Sequence, residues 1–394
     1  MIKRLYNTGL LPALGGLAVL VIAMGVGRFA YTALLPSMMH AHALGEKATA
    51  SMAAWNYAGY LAGVLAMRKE TAGQSQYAKL QFFLLLSILS TAAMGLVHGS
   101  LLWYTTRLIA GFASGACFVL CSALVLDALI TIGRPSLSGL MYSGVGIGIV
   151  LSAIAVRPFE ALFGSDGTWI GLAILCIPLA CAALLCLRPR FNPPSAAPAY
   201  AAKAMPANNR TPATQWTYPV LLLTYFLEGF GYIIGTTFLV SLTQTRTHSA
   251  ELANAAWIVT GCAAALSTPL WRYTAQKSYL RMLVLAFLLQ GLGVLLPVFS
   301  NHPVVILTGG LLLGGTFMGI TALSLQYGVV VRTSSSAYTI AMLTTVYGVG
   351  QILGPIVAGV TVNSHGFAPA FILAAFILFL AATLLAIHDM MQRQ

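Results

Sequence analysis

Apolar runs of roughly 20 residues recur from one end of this chain to the other. Each is long enough to cross about 30 Å of hydrocarbon as a helix rising about 1.5 Å per residue. A soluble domain carries about 25% charged residues, whereas 7% of this chain is Asp, Glu, Lys or Arg and 59% is hydrophobic. A water-surrounded fold cannot bury that balance, so the medium this chain fits is a lipid bilayer.

The runs predict twelve spans. They cover about 10–37, 48–67, 79–98, 101–127, 136–157 and 168–187, then 217–243, 250–272, 280–299, 302–327, 335–362 and 366–389. Between them, 188–215 is rich in proline and reads as a cytoplasmic linker. The expected domains are therefore an N-terminal six-helix bundle at 1–187, the linker, and a C-terminal bundle at 216–394. The start, with Lys3 and Arg4 before an apolar run to about Pro36, imitates a signal peptide, but the run is long enough for a retained first span.

Twelve spans put both termini on one side. That side holds fifteen Lys and Arg residues, and the opposite loops hold Lys47, Arg157 and Arg246. Cationic loops resist translocation, so both termini are expected in the cytoplasm of a bacterial-type inner membrane. The formal charge of +12 then records topology, and nucleic acid is not an expected partner. The six cysteines fall inside apolar runs without a CxxC pair, so neither a disulfide framework nor a metal site is indicated.

The two sets of spans match at a nearly constant offset. Ala53-Ala54-Trp55 and Gly59 correspond to Ala255-Ala256-Trp257 and Gly261, and Gly25-x-Gly27 corresponds to Gly229-x-Gly231. Gly111, Gly115 and Phe118 correspond to Gly310, Gly314 and Phe317, and Gly144-Val145-Gly146 to Gly348-Val349-Gly350. This predicts an all-α membrane protein: twelve transmembrane helices in two pseudo-symmetric six-helix bundles around a central cavity. The third, sixth, ninth and twelfth spans carry little that is polar and are expected to face lipid.

The pattern resembles the major facilitator superfamily over essentially the whole chain. Arg107-Leu108-x-x-Gly111-x-x-x-Gly115 is similar to that family's motif B, and the resemblance implies a cavity arginine tied to proton coupling. Within the superfamily, the stretch from Gly25 to Pro36 and Asn56-Tyr57-x-Gly59-Tyr60 resemble the YbfB/YjiJ-type transporters. The loop after the second span departs from motif A, keeping just the basic end at Arg68-Lys69. The fifth span lacks the proline of motif C, so drug antiport is not implied.

Arg28 and Glu228 sit near the middle of the first and seventh spans, where each would cost roughly 2.5–3.5 kcal/mol if it faced lipid. They are expected to face the cavity. Arg28 and Arg107 are candidates for holding an anionic group of a solute, and Glu228, with Arg107, for proton coupling. A structural Arg28–Glu228 ion pair is the alternative. Tyr31, Asn56, Tyr142, Tyr232, Gln326, Tyr347 and Gln351 are further substrate-binding candidates, each also able to serve helix-to-helix hydrogen bonding. Asp127 with Arg134 or Arg68 is a candidate gate. His40, His42, His98, His248, His302 and His365 gather at the predicted outer ends, where imidazoles could sense an acidic exterior. His40-x-His42 alone does not indicate a metal.

The expected function is a monomeric secondary transporter moving a small organic, anionic or amphipathic solute by alternating access, with protons as coupling ion, no cofactor, and export ahead of uptake. Proton-coupled uptake of an organic acid is the alternative. A non-transporting receptor or an enzyme on the same scaffold is more distant, because no HExxH, Ser/His/Asp or paired-carboxylate constellation is visible and no loop is long enough for a soluble domain.

Overall fold

A computed structural model describes residues 8–67, 74–188, 215–274, 278–331, 336–361 and 366–393. The linker expected at 188–215, Arg68 and Lys69, and His365 lie largely or wholly outside the described residues.

Helix dominates. In chain order α1 is Leu10–Ala41, α2 Glu46–Met67, α3 Gln74–Ala93 and α4 Ser100–Thr131. The stretch Ser138–Leu187 supplies two helices, α5 before Gly164 and α6 after it, with a break at Gly164, where φ 70° and ψ −175° are non-helical. Thereafter α7 is Thr217–Thr247, α8 Ala250–Thr274, α9 Tyr279–Phe299, α10 Pro303–Val331, α11 Ser336–Thr361 and α12 Ala368–Met391. By length and composition, nine helices among the described residues can cross a membrane, with α5 and α6 of Ser138–Leu187 counted together. The two short of that standard, α2 and α3, carry Glu46, Lys47 and Asn56, and Gln74, Gln76 and Lys79.

The described residues divide into two compact units, one within Met1–Leu44 and Trp55–Tyr200 and the other within Gly45–Ala54 and Ala201–Gln394. In the first, α1 packs on α5, α2 on α4, and α3 on α4 and the α5–α6 pair. In the second, α7 packs on α11 and α12, α8 on α10, and α9 on α10 and α12. The pairings repeat from one unit to the other.

The repeated glycines make those pairings possible. A Cβ on Gly25 of α1 would land on the backbone of Gly148 in α5, and one on Gly229 of α7 would land on the backbone of Tyr347 in α11. The α2–α4 crossing repeats as α8–α10: a Cβ on Gly111 would strike the carbonyl of Asn56, and one on Gly314 the carbonyl of Thr260. In lipid no water drives helices together, so close backbone approach and van der Waals packing carry association. The offset seen in the sequence is thus a repeat of helix crossings.

Several helices present long apolar stripes outward. Phe82, Leu85 and Leu89 lie exposed along α3, and Ile372, Phe376 and Leu380 along α12. Ile174 and Ile177 do the same on α6, and Leu285, Leu288 and Leu292 on α9. Surfaces of this kind belong in acyl chains rather than water.

Candidate functional site

The first unit gathers its charged chemistry around a defect in α1. This helix runs as α-helix to Leu20, widens into a π-helical turn over Val21–Val26 and resumes as α-helix at Ala30. Between the two, the amide of Gly27 donates to Ile22 O at 2.8 Å and that of Phe29 to Met24 O at 3.0 Å. Such wide turns interrupt the regular ladder and recur where helices carry function. Carbonyls freed at a break within a membrane accept from donors on neighbouring helices.

Arg107 of α4 supplies them. Its guanidinium donates to Gly27 O at 3.4 Å and to Arg28 O at 3.5 Å, and it lies 4.5 Å from the ring centre of Tyr31. Asn56 of α2 donates through Nδ2 to the backbone carbonyl of Arg107 at 2.9 Å, fixing α2 to α4 where the glycines bring them together. Arg28 stands over two tyrosine faces of α2, 4.7 Å from the centre of Tyr57 and 4.2 Å from that of Tyr60. Arg28, Arg107, Tyr31 and Asn56 are all buried.

A row of rings leads away from this cluster. Tyr60 packs 6.4 Å from Phe118, and Phe118 6.0 Å from Tyr142, whose hydroxyl donates to Ser122 Oγ at 3.4 Å. The carboxylates described in this unit lie elsewhere. Asp166 sits with His42 and His98, Glu160 is exposed, and Asp127 is near the far end of α4. Asp127 is half-buried, and among the described residues it makes no ion pair with the exposed Arg134.

The second unit holds an aromatic stack and one buried acid. Tyr347 of α11 is sandwiched between Tyr225 and Tyr232 of α7, with centres 4.5 and 5.6 Å away and interplanar angles of 17° and 12°. Phe317 of α10 extends the stack, 5.6 Å from Tyr232. Gln351 donates to the Tyr232 hydroxyl. Glu228 is 0% exposed, and its Oε1 accepts a hydrogen bond from Gln290 of α9 at 3.1 Å. Gln326 is half-buried on α10.

The structure therefore brings Arg28, Tyr31, Asn56 and Arg107 together, with Tyr142 at the end of their ring row, and separately joins Tyr232, Tyr347 and Gln351. Asp127 and Arg134 stand apart from both groups. Sequence reading passed over Tyr57 and Tyr60 as cation partners, although both lie in the quoted Asn56–Tyr60 stretch. It also passed over Gln290, placed on a helix expected to face lipid. The signal for Gln290 was its isolation in an apolar run, where a lone amide needs a partner.

Comparison with known proteins agrees with this architecture. No curated protein matches the chain. The crystal structure of a bacterial homolog of the human lysosomal transporter Spinster, inward-facing and occupied, superposes with TM-score 0.72 at 14% identity, covering 98% of this chain and 97% of that one. The crystal structure of the nucleoside transporter NupG gives TM-score 0.68 at 13% identity, covering 95% and 99%. At these identities the likeness is one of fold, an all-helical transporter fold shared with two members of the superfamily. The family model described as uncharacterised MFS-type transporter YbfB matches residues 20–386, and the chain therefore belongs to that family of multi-pass membrane transporters.

Proposed function

We propose that this transporter is a proton-coupled secondary carrier for a small organic anion or amphipathic acid, working by alternating access, with export its direction. The observation that carries the substrate class is the pair of buried guanidinium groups, Arg28 and Arg107, held against tyrosine faces at the break in α1. A guanidinium presents a planar fork of donors matched to carboxylate or phosphate. The hydrogen bonds of Arg107 to carbonyls, at 3.4 and 3.5 Å, are long and weaker than a charge-assisted bond to an anion, so a solute can exchange for them. Binding energy spent on one conformation shifts the population toward it, which is what alternating access requires.

Glu228 is the residue assigned to the proton. An ionisable side chain at membrane depth is usually functional, and a carboxyl whose neighbour is a neutral amide can exist protonated or ionised without breaking a salt bridge. The aromatic stack of Tyr225, Tyr347, Tyr232 and Phe317 supplies flat apolar surface suited to the body of an amphipathic solute.

Thermal-shift screening of the purified chain with matched anionic, neutral and cationic organic solutes tests the substrate class. Stabilisation by anions that disappears in Arg107→Gln is expected. Stabilisation by neutral or cationic members alone would contradict it.

A further inference from the structure

At the end of the first unit where α1, the α3–α4 connection and the α5–α6 break come together, three side chains converge. His42 follows α1, His98 lies between α3 and α4, and Asp166 follows Gly164. His42 Nε2 lies 2.7 Å from Asp166 Oδ1, and His98 Nε2 lies 3.1 Å from Oδ2. The three potential ligand atoms all fall within 4.8 Å of one another. Each comes from a different connection, so the cluster is made by the fold and not by a local sequence motif. His40 is exposed and is not a member of it.

The surroundings hold the donors in place. The two imidazoles meet edge to face, with centres 5.6 Å apart and planes at 72°. The indole of Trp103, buried, packs against the His42 ring at 5.0 Å and the His98 ring at 6.3 Å. A Cβ on Gly95 would strike the carbonyl of Asp166, so the α3 end and the start of α6 are in backbone contact there. The side chain of His42 is 16% exposed and that of His98 61%, which leaves the cluster open to solution on one side.

We propose that His42, His98 and Asp166 form a binding site for a divalent transition-metal ion of the zinc type. Two imidazole nitrogens and one carboxylate oxygen are a donor set that suits zinc and disfavours magnesium or calcium, which take oxygen ligands. A tetrahedral zinc with ligands at about 2.0–2.1 Å separates its donors by roughly 3.3–3.4 Å. The observed 2.7 and 3.1 Å separations reach that value by side-chain shifts of about an ångström or less, with water as fourth ligand. The sign of the loop charges places this end opposite the cytoplasm, in reach of external metal. The bound ion would tie the end of α1, the helix carrying Arg28, to two other connections of the same unit.

The test uses the full chain, tag-free in detergent, with zinc chloride as probe. Zinc should raise the melting temperature, a chelator should reverse the rise, and magnesium chloride should give none. His98→Ala, at the most exposed ligand, should raise the zinc dissociation constant at least about tenfold, and Asp166→Asn should do the same. Cobalt chloride should give tetrahedral-type visible absorption in the wild type that His98→Ala loses, a readout independent of folding stability. Unchanged zinc affinity in both variants, or cobalt absorption retained in His98→Ala, would overturn the assignment.

Discussion

The guanidinium of Arg107 stands 4.5 Å from the ring centre of Tyr31 while donating to the carbonyls of Gly27 and Arg28, one turn earlier on the same helix. One side chain of α4 thereby spans the break in α1, donating to two of its backbone carbonyls. Any solute that draws Arg107 away must leave those carbonyls less well satisfied. In the proposed reading, solute binding and the shape of α1 are therefore coupled through this residue.

Arg107→Met keeps the length and apolar stem but removes every donor. The carbonyls of Gly27 and Arg28 lose this donor, and the loss of buried hydrogen bonds from a charged group costs about 1–3 kcal/mol. A lower melting temperature than wild type is expected in detergent. An unchanged melting temperature would show that the break in α1 is held by other contacts.

Gly314 and Gly315 are neighbours on α10 with opposite surroundings. A Cβ on Gly314 would strike the Thr260 carbonyl, whereas one on Gly315 meets nothing within 4 Å. Gly314→Ala should destabilise by about 1–3 kcal/mol through overpacking, and Gly315→Ala should be neutral or stabilising by up to about 1 kcal/mol through helix propensity. Equal melting temperatures for the two would remove the close α8–α10 crossing from the account.

Glu228 and Gln290 form a buried polar pair. Gln290→Leu strips the carboxylate of its donor and should lower stability by roughly 1–3 kcal/mol, while replacing both partners with leucine should restore most of that loss. Additive losses in the double variant would mean that the two side chains do not depend on each other.

Much of the fold was legible because lipid leaves a chain few options. Span length follows from hydrocarbon thickness, and the glycines recurring at a shift of about 200 positions had to mark equivalent close crossings, since backbones touch where Gly25 meets Gly148 and Gly229 meets Tyr347. The π-helical turn in α1 was not legible, because no proline or polar residue between Val21 and Val26 announces it. The break between the fifth and sixth spans was legible from the polar stretch between 157 and 168, and it falls at Gly164, which leaves helical geometry.

The candidate site divides similarly. Arg28 and Arg107 stood out because charge at membrane depth is costly, and Asn56 because a buried amide needs a partner. Their ring partners Tyr57 and Tyr60 were hidden among many apolar aromatics. The direction of Glu228, toward Gln290 on α9, depends on helix rotation, which a pattern of spans does not encode. His42, His98 and Asp166 are separated by 56 and 68 positions along the chain, and three loops had to meet before they could be seen as one cluster.

The central claim is that Glu228 carries the proton that drives transport. Its most direct test is gradient-driven accumulation in proteoliposomes of the labelled organic anion that stabilises the wild type in the screen, compared with solute-for-solute exchange in the same vesicles. The account predicts that Glu228→Gln, folded with a melting temperature near wild type, loses accumulation under a pH gradient and retains exchange. Accumulation equal to wild type in that variant would contradict it.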